Sequence, residues 1–163
     1  MSRNLTAAQI QNLLAVSANK ALIQQPASAV EGGTPLYDDE GSFNNQDLII
    51  LASAVRAASA SGGDRTNHSA RGLILVIDMT VVPGIDTVTF TIQGKDPASA
   101  KYFNLLVSAA IVAVSTVVLR VYPGLTAAAN LVASDVIPRT WRVITTHSAA
   151  TNFTYSVSAA LLR

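Results

Sequence analysis

Two histidines, His68 and His147, and a scatter of carboxylates are the side chains of this sequence that could serve a catalyst or a metal. Asp64 stands four residues before His68, but in a Gly- and Ser-rich stretch where no helix face gathers them, and His147 has no carboxylate or histidine at a helical spacing. Both histidines read as loop residues, not as a ligand pair. The Gly94-Lys95-Asp96 tripeptide is no phosphate loop: it lacks the earlier glycine and the following Ser or Thr, and Asp96-Pro97 takes their place. The acidic run Asp38-Asp39-Glu40 lacks the looped spacing and carbonyl donors that calcium needs, so it reads as a solvated turn. No G-x-S-x-G nucleophile elbow occurs. Carboxylates acting on a glycoside would need flanking aromatics, and four Tyr, four Phe and one Trp are few, most of them at inward strand positions. With no cysteine, structural zinc of the thiolate kind, disulfides and thiol catalysis are excluded together. The expectation is a protein that is no enzyme and holds neither cofactor nor metal.

What remains is surface. Of 163 residues, 50% are hydrophobic and only 13% charged, about half the charge usual for a soluble domain. A chain so poor in charge hides surface against partners or covers it with Ser, Thr, Ala and Asn. The expectation is a homo-oligomer, dimer or trimer. The net charge is +1 and the basic residues are scattered from Arg3 to Arg163, so no concentrated positive face for nucleic acid is expected. Met1 to Lys20 carries Gln9, Gln11, Asn12 and Asn19, unlike a secretory leader. Phe103 to Leu119 has the length of a membrane span, but its Val and Thr content favours two adjacent strands, so no membrane partner is expected.

The elements divide the chain at residue 46. In residues 1–46, Thr6 and Gln9 have capping-box spacing, Leu5 and Ile10 can form a staple, and Ile10, Leu13 and Leu14 share a face of a helix over about Ala7 to Asn19. A Gly- and Pro-containing stretch follows, giving an extended arm. Leu5, Ile10, Leu13, Leu14, Leu22 and Ile23 are its candidate partner contacts. Residues 47–163 carry strand patterns: Leu48 to Ala57, Arg71 to Val81, Thr87 to Gln93, Lys101 to Val107, Thr116 to Tyr122, Thr140 to Thr146 and Phe153 to Leu161. The run Leu73 to Ile77 is almost continuously apolar, as in a strand buried on both faces, and Ala127 to Asp135 suits a short helix or a loop. Alternation puts Phe90, Ile92, Trp141, Val143, Tyr155 and Val157 in the core and Thr87, Thr89, Thr91, Ser156 and Ser158 outside. Gly94 with Pro97, and Pro123 with Gly124, are structural corners. About seven short strands separated by turn residues imply a mainly β fold, an antiparallel β-sandwich of jelly-roll type, preceded by a helix and arm.

Five blocks carry a resemblance beyond pattern: Arg71-Gly72-Leu73, Thr91 to Pro97, Leu119 to Leu125, Ile137 to Arg142 and Tyr155-Ser156-Val157. Through them the stretch from about Arg71 to Leu162 resembles virion structural proteins of tailed bacteriophages, with Gly-Lys-Asp-Pro and Val-Tyr-Pro-Gly the most specific. The resemblance implies a minor structural protein, a head-decoration or cement protein bound to the major capsid protein or other virion proteins, assembled in the host cytoplasm and resident in the virion. A tail or baseplate component and a carbohydrate-binding host-recognition module are the open alternatives.

Overall fold

The computed structural model describes residues 45–163, which form one unit by their contacts. The helix over 7–19, the acidic run and the contacts Leu5, Ile10, Leu13, Leu14, Leu22 and Ile23 lie outside the described residues. Nine strands follow in chain order: β1 Gln46–Arg56, β2 Arg65–Thr66, β3 Gly72–Val81, β4 Val88–Lys95, β5 Tyr102–Val107, β6 Ser115–Val121, β7 Val132–Ala133, β8 Thr140–His147 and β9 Phe153–Leu162. They form a five-stranded sheet in the order β1-β9-β3-β6-β7 and a four-stranded sheet in the order β2-β8-β4-β5. All pairings are antiparallel except the short β6–β7 contact. The first strand pairs with the last, β2 with β8, β3 with β6 and β4 with β5, so the pairs nest like one long hairpin.

Period-two alternation builds the core. Leu73, Leu75, Ile77 and Met79 of β3 and Phe153, Tyr155, Val157, Ala159 and Leu161 of β9 are buried, as are Val88, Phe90 and Ile92 of β4 and Trp141 and Val143 of β8. They belong to a single cluster, so the two sheets face each other across one core. Phe90 meets Tyr155 across the layers edge to face, with centroids 5.2 Å apart, the arrangement that aromatic quadrupoles favour.

The structure departs from the sequence reading in three places. β3 is buried on one face only: Leu73, Leu75, Ile77 and Met79 are buried, while Ile74 and Val76 are half-buried on the outer face. Thr91, expected on the outer face of its strand, is instead buried, whereas 127–135 takes the loop form of the two expected, a tight turn between Ala128 and Val132 from which β7 runs along β6. Gly94 is no corner residue but lies inside β4, opposite Trp141 and Phe103. The turn beyond it begins at Asp96, whose carboxylate accepts from the Ala98 and Ser99 amides and the Ser99 hydroxyl. Among the described residues no helix is long and apolar enough to cross a membrane.

Candidate interaction surface

Strand register decides which loops meet. Val88 pairs with His147, and Met79 pairs with both Ser115 and Tyr155. The connections 57–63, 82–87, 108–114 and 148–152 therefore gather at one end. They are tied together: the Ser148 amide donates to Thr87 O at 2.9 Å, the Thr87 amide to Ser148 Oγ at 2.8 Å, the Ile111 amide to Val88 O at 2.9 Å and the His147 amide to Ser59 Oγ at 3.1 Å. Asp86 is the sole formal charge in those four stretches. Their tips are instead apolar. Ile85, on the turn closed by the Asp86 amide and Pro83 O at 3.2 Å, is 96% exposed. Val112 and Val114 are 62% and 65% exposed. An open groove lined by Ala110, Val112, Val117 and Leu131 runs beside them. Its far wall is held by Asn130, at φ 62°, whose side-chain amide donates to Val107 O at 3.0 Å.

The opposite end is charged. The connections 67–71 and 96–101 and the segments 122–125 and 134–139 carry Arg71, Asp96, Lys101, Asp135 and Arg139. The Asn67 amide donates to Arg139 O and the Ile137 amide to Arg71 O, and Asn67 donates from its side chain to Ala70 O and Ile137 O. The loops of the described residues are thus polarised along the strands, with five charges at one end and, at the other, Asp86 among alanine, valine and serine. An end whose loops carry a single charge can be buried against a partner with less of the desolvation cost that ionised groups carry.

Beneath the uncharged end lies a small buried polar cluster. The Tyr155 hydroxyl is 3.0 Å from Thr145 Oγ1 and 3.1 Å from His147 Nε2. Burial raises the Tyr155 pKa against the opposing pull of Thr145 and Arg56. Burial, and secondly the positive charge of Arg56, lower that of His147. Arg56 lies over the Tyr155 ring at 4.6 Å and donates to Tyr155 O, Ala54 O and Ala52 O. Thr145 exchanges hydrogen bonds with the Ala60 backbone. The cluster pins the end of β1 and the loop after it to β8 and β9, so the uncharged end rests on a rigid base.

A second polar group lies on the outer face of the four-stranded sheet. Lys95 Nζ and the Tyr102 hydroxyl donate to Asp64 at 2.8 and 2.7 Å, and both contacts hold the Asp64 carboxyl below its ordinary pKa. Arg142 stacks 3.3 Å from the Tyr102 centroid and donates to Gln93, which donates to Asn104. These groups satisfy one another, and Arg142 occupies the aromatic face that a sugar ring would need. Among the described residues no group of three His, Cys, Asp or Glu could hold a metal.

Phe90, Ile92, Trp141 and Tyr155 are fully buried, with Val143 and Val157 beside them. Pro97 stands in the turn after β4. Pro123 and Gly124 form the turn after β6, with Gly124 at φ 86°. His68 and His147 are not brought together: His68 lies in the loop after β2 at the charged end, and His147 closes β8 at the other. Sequence reasoning missed the uncharged end. The signal was there, in apolar residues placed in turns, Ile85 beside Pro83-Gly84 and the Ala-Val run 109–114, but only register shows that they share one end. Compared with known proteins, the chain matches no family model, no characterised protein and no solved structure.

Proposed function

We propose that this chain is a non-enzymatic structural protein of a tailed-phage particle, a head-decoration or cement protein that binds the assembled shell of major capsid protein. The observation that carries the reading is the uncharged, apolar loop end. Ile85, Val112 and Val114 have no folding reason to stand in water, and a monomer gains nothing from showing them. The fold supports the reading too. Set β7 aside, and eight strands pair first with last, second with seventh, third with sixth and fourth with fifth. That nesting supports a jelly roll, an architecture recurrent in virus capsids.

A cement protein acts by linkage. It binds the assembled shell better than free shell protein, so its binding free energy adds to shell stability. Each contact can be weak, because many copies and oligomeric copies multiply it. Self-association, as dimer or trimer, belongs to the same reading.

The test is reconstitution. Purified protein is added to shells lacking it, and bound copies and shell melting temperature are measured. Many bound copies per shell and a raised melting temperature are expected, with Ile85→Asp and Val112→Asp both reducing occupancy. No binding to shells, or full occupancy by both variants, overturns the reading. Binding to tails with none to heads makes it a tail component.

A further inference from the structure

The outer face of the five-stranded sheet has a composition that suits one particular partner. Antiparallel register aligns outward residues in rows across β1-β9-β3-β6. One row is Asp47, Ala160, Ile74 and Arg120, and the next is Ile49, Ser158, Val76 and Val118. Then come Ser156, Asp78 and Thr116, and last Val55, Thr154 and Val81. The middle of the face is small or apolar, and Ile49 is 72% exposed. Asp78 is engaged by the Thr116 hydroxyl at 3.1 Å. Asp47 and Arg120 are exposed at the two ends of this four-residue row, Asp47 on the edge strand β1 and Arg120 on β6 with Val132 of the short β7 beyond it, and neither side chain has a hydrogen bond or ion pair among the described residues. Three strand spacings of about 4.8 Å separate them, too far to pair within one chain.

We infer that this face is the self-association surface of the protein, and that a second copy docks on it about a two-fold axis parallel to the strands. Such an axis turns each row onto the same row of the partner with left and right exchanged. Asp47 of each copy then faces Arg120 of the other, giving two reciprocal ion pairs. In the same register Ile49 faces Val118, Ser158 faces Val76, and the engaged Asp78 faces Ser156. The face is self-complementary, as an isologous interface requires. The alternative axis, perpendicular to the strands, would set Asp47 and Arg120 each against its own margin of the face and lose the pairing. Four strands give a width of about 19 Å, and four rows two residues apart a length of about 20–26 Å. That is about 400–500 Å² per copy and about 800–1,000 Å² in all, the size of a weak specific interface. A reversible dimer is the consequence, held by apolar contact and selected by the charges at its rim.

The inference rests on the self-association part of the proposed function and names the surface. The test uses the full chain in sedimentation velocity at several concentrations. Asp47→Arg sets Arg against the partner's Arg120, and Arg120→Asp sets Asp against the partner's Asp47, so each variant alone should dimerise about tenfold more weakly or worse. Mixing the two variants should restore the dimer, because both rim contacts then become one Arg against one Asp. Equal thermal midpoints for both variants control for folding, and recovery on mixing is itself proof that both fold. A dimer indifferent to either variant keeps self-association and overturns this surface. A wild-type chain that stays monomeric at high micromolar concentration overturns both. Two weakened variants that do not recover on mixing overturn the two-fold.

Discussion

The Tyr155 hydroxyl is held between Thr145 and His147, and that contact has a consequence for pH. Burial and Arg56 favour the neutral imidazole of His147, so its pKa in the folded protein lies below the ordinary value of 6.5. The unfolded chain takes up this proton first as pH falls. The stability owed to neutral His147 is therefore complete above about pH 6.5 and declines below it. Denaturant melts from pH 7.5 to 5 should show that decline, and His147→Gln should flatten it, since glutamine keeps an acceptor for Tyr155 and does not titrate. Trp141 is fully buried between the sheets. Trp141→Ala should cost about 3–5 kcal/mol in denaturant unfolding, the usual cost of an aromatic cavity; a loss under 1 kcal/mol would mean that the core closes over the gap. At this scale much was legible in the sequence: alternation put Phe90, Ile92, Trp141, Val143, Tyr155 and Val157 on inward positions. The His147–Tyr155–Thr145 contact was not, because it depends on which strands lie side by side.

Strands show where local pattern ends and tertiary context begins. β3 carries a continuous apolar run and still leaves Ile74 and Val76 on an outer face, since periodicity reports what a strand can bury and not what covers it. Gly94 was readable as a special position, but for the wrong cause. It sits in regular strand, where an added Cβ would come 2.5 Å from Phe103 Cζ and 2.7 Å from Pro138 Cγ. Gly94→Ala should therefore destabilise by about 1–3 kcal/mol through overpacking. Gly94→Ala combined with Phe103→Ala should recover part of the loss in thermal melts if contact with the ring is the cause. Gly124, by contrast, is a turn glycine. At φ 86° after Pro123 it has the geometry of a type II turn, and nothing lies within 4 Å of a Cβ added there. Gly124→Ala should cost about 1–2 kcal/mol from backbone strain alone, and Gly124→Asn less, because Asn tolerates that region.

At the scale of the whole molecule, the charge-poor composition resolves into geography. Among the described residues, five charges sit in the loops of one end and most others on strands or in the Asp64–Lys95 pair, while the loops at the other end carry Asp86 alone. No sequence window contains that polarity, which arises when nested pairing brings 57–63, 82–87, 108–114 and 148–152 together. On the proposed reading two surfaces have different tasks: the charge-poor end would meet the shell, and the outer face of the five-stranded sheet would meet a second copy. The measurement that bears most directly on this account is a density map of the virion that carries the protein, at a resolution that separates strands. The account predicts many copies on the head, with the Ile85 turn and the 108–114 loop against the shell. Density for the protein with that end turned to solvent, or particles without it, would contradict the account.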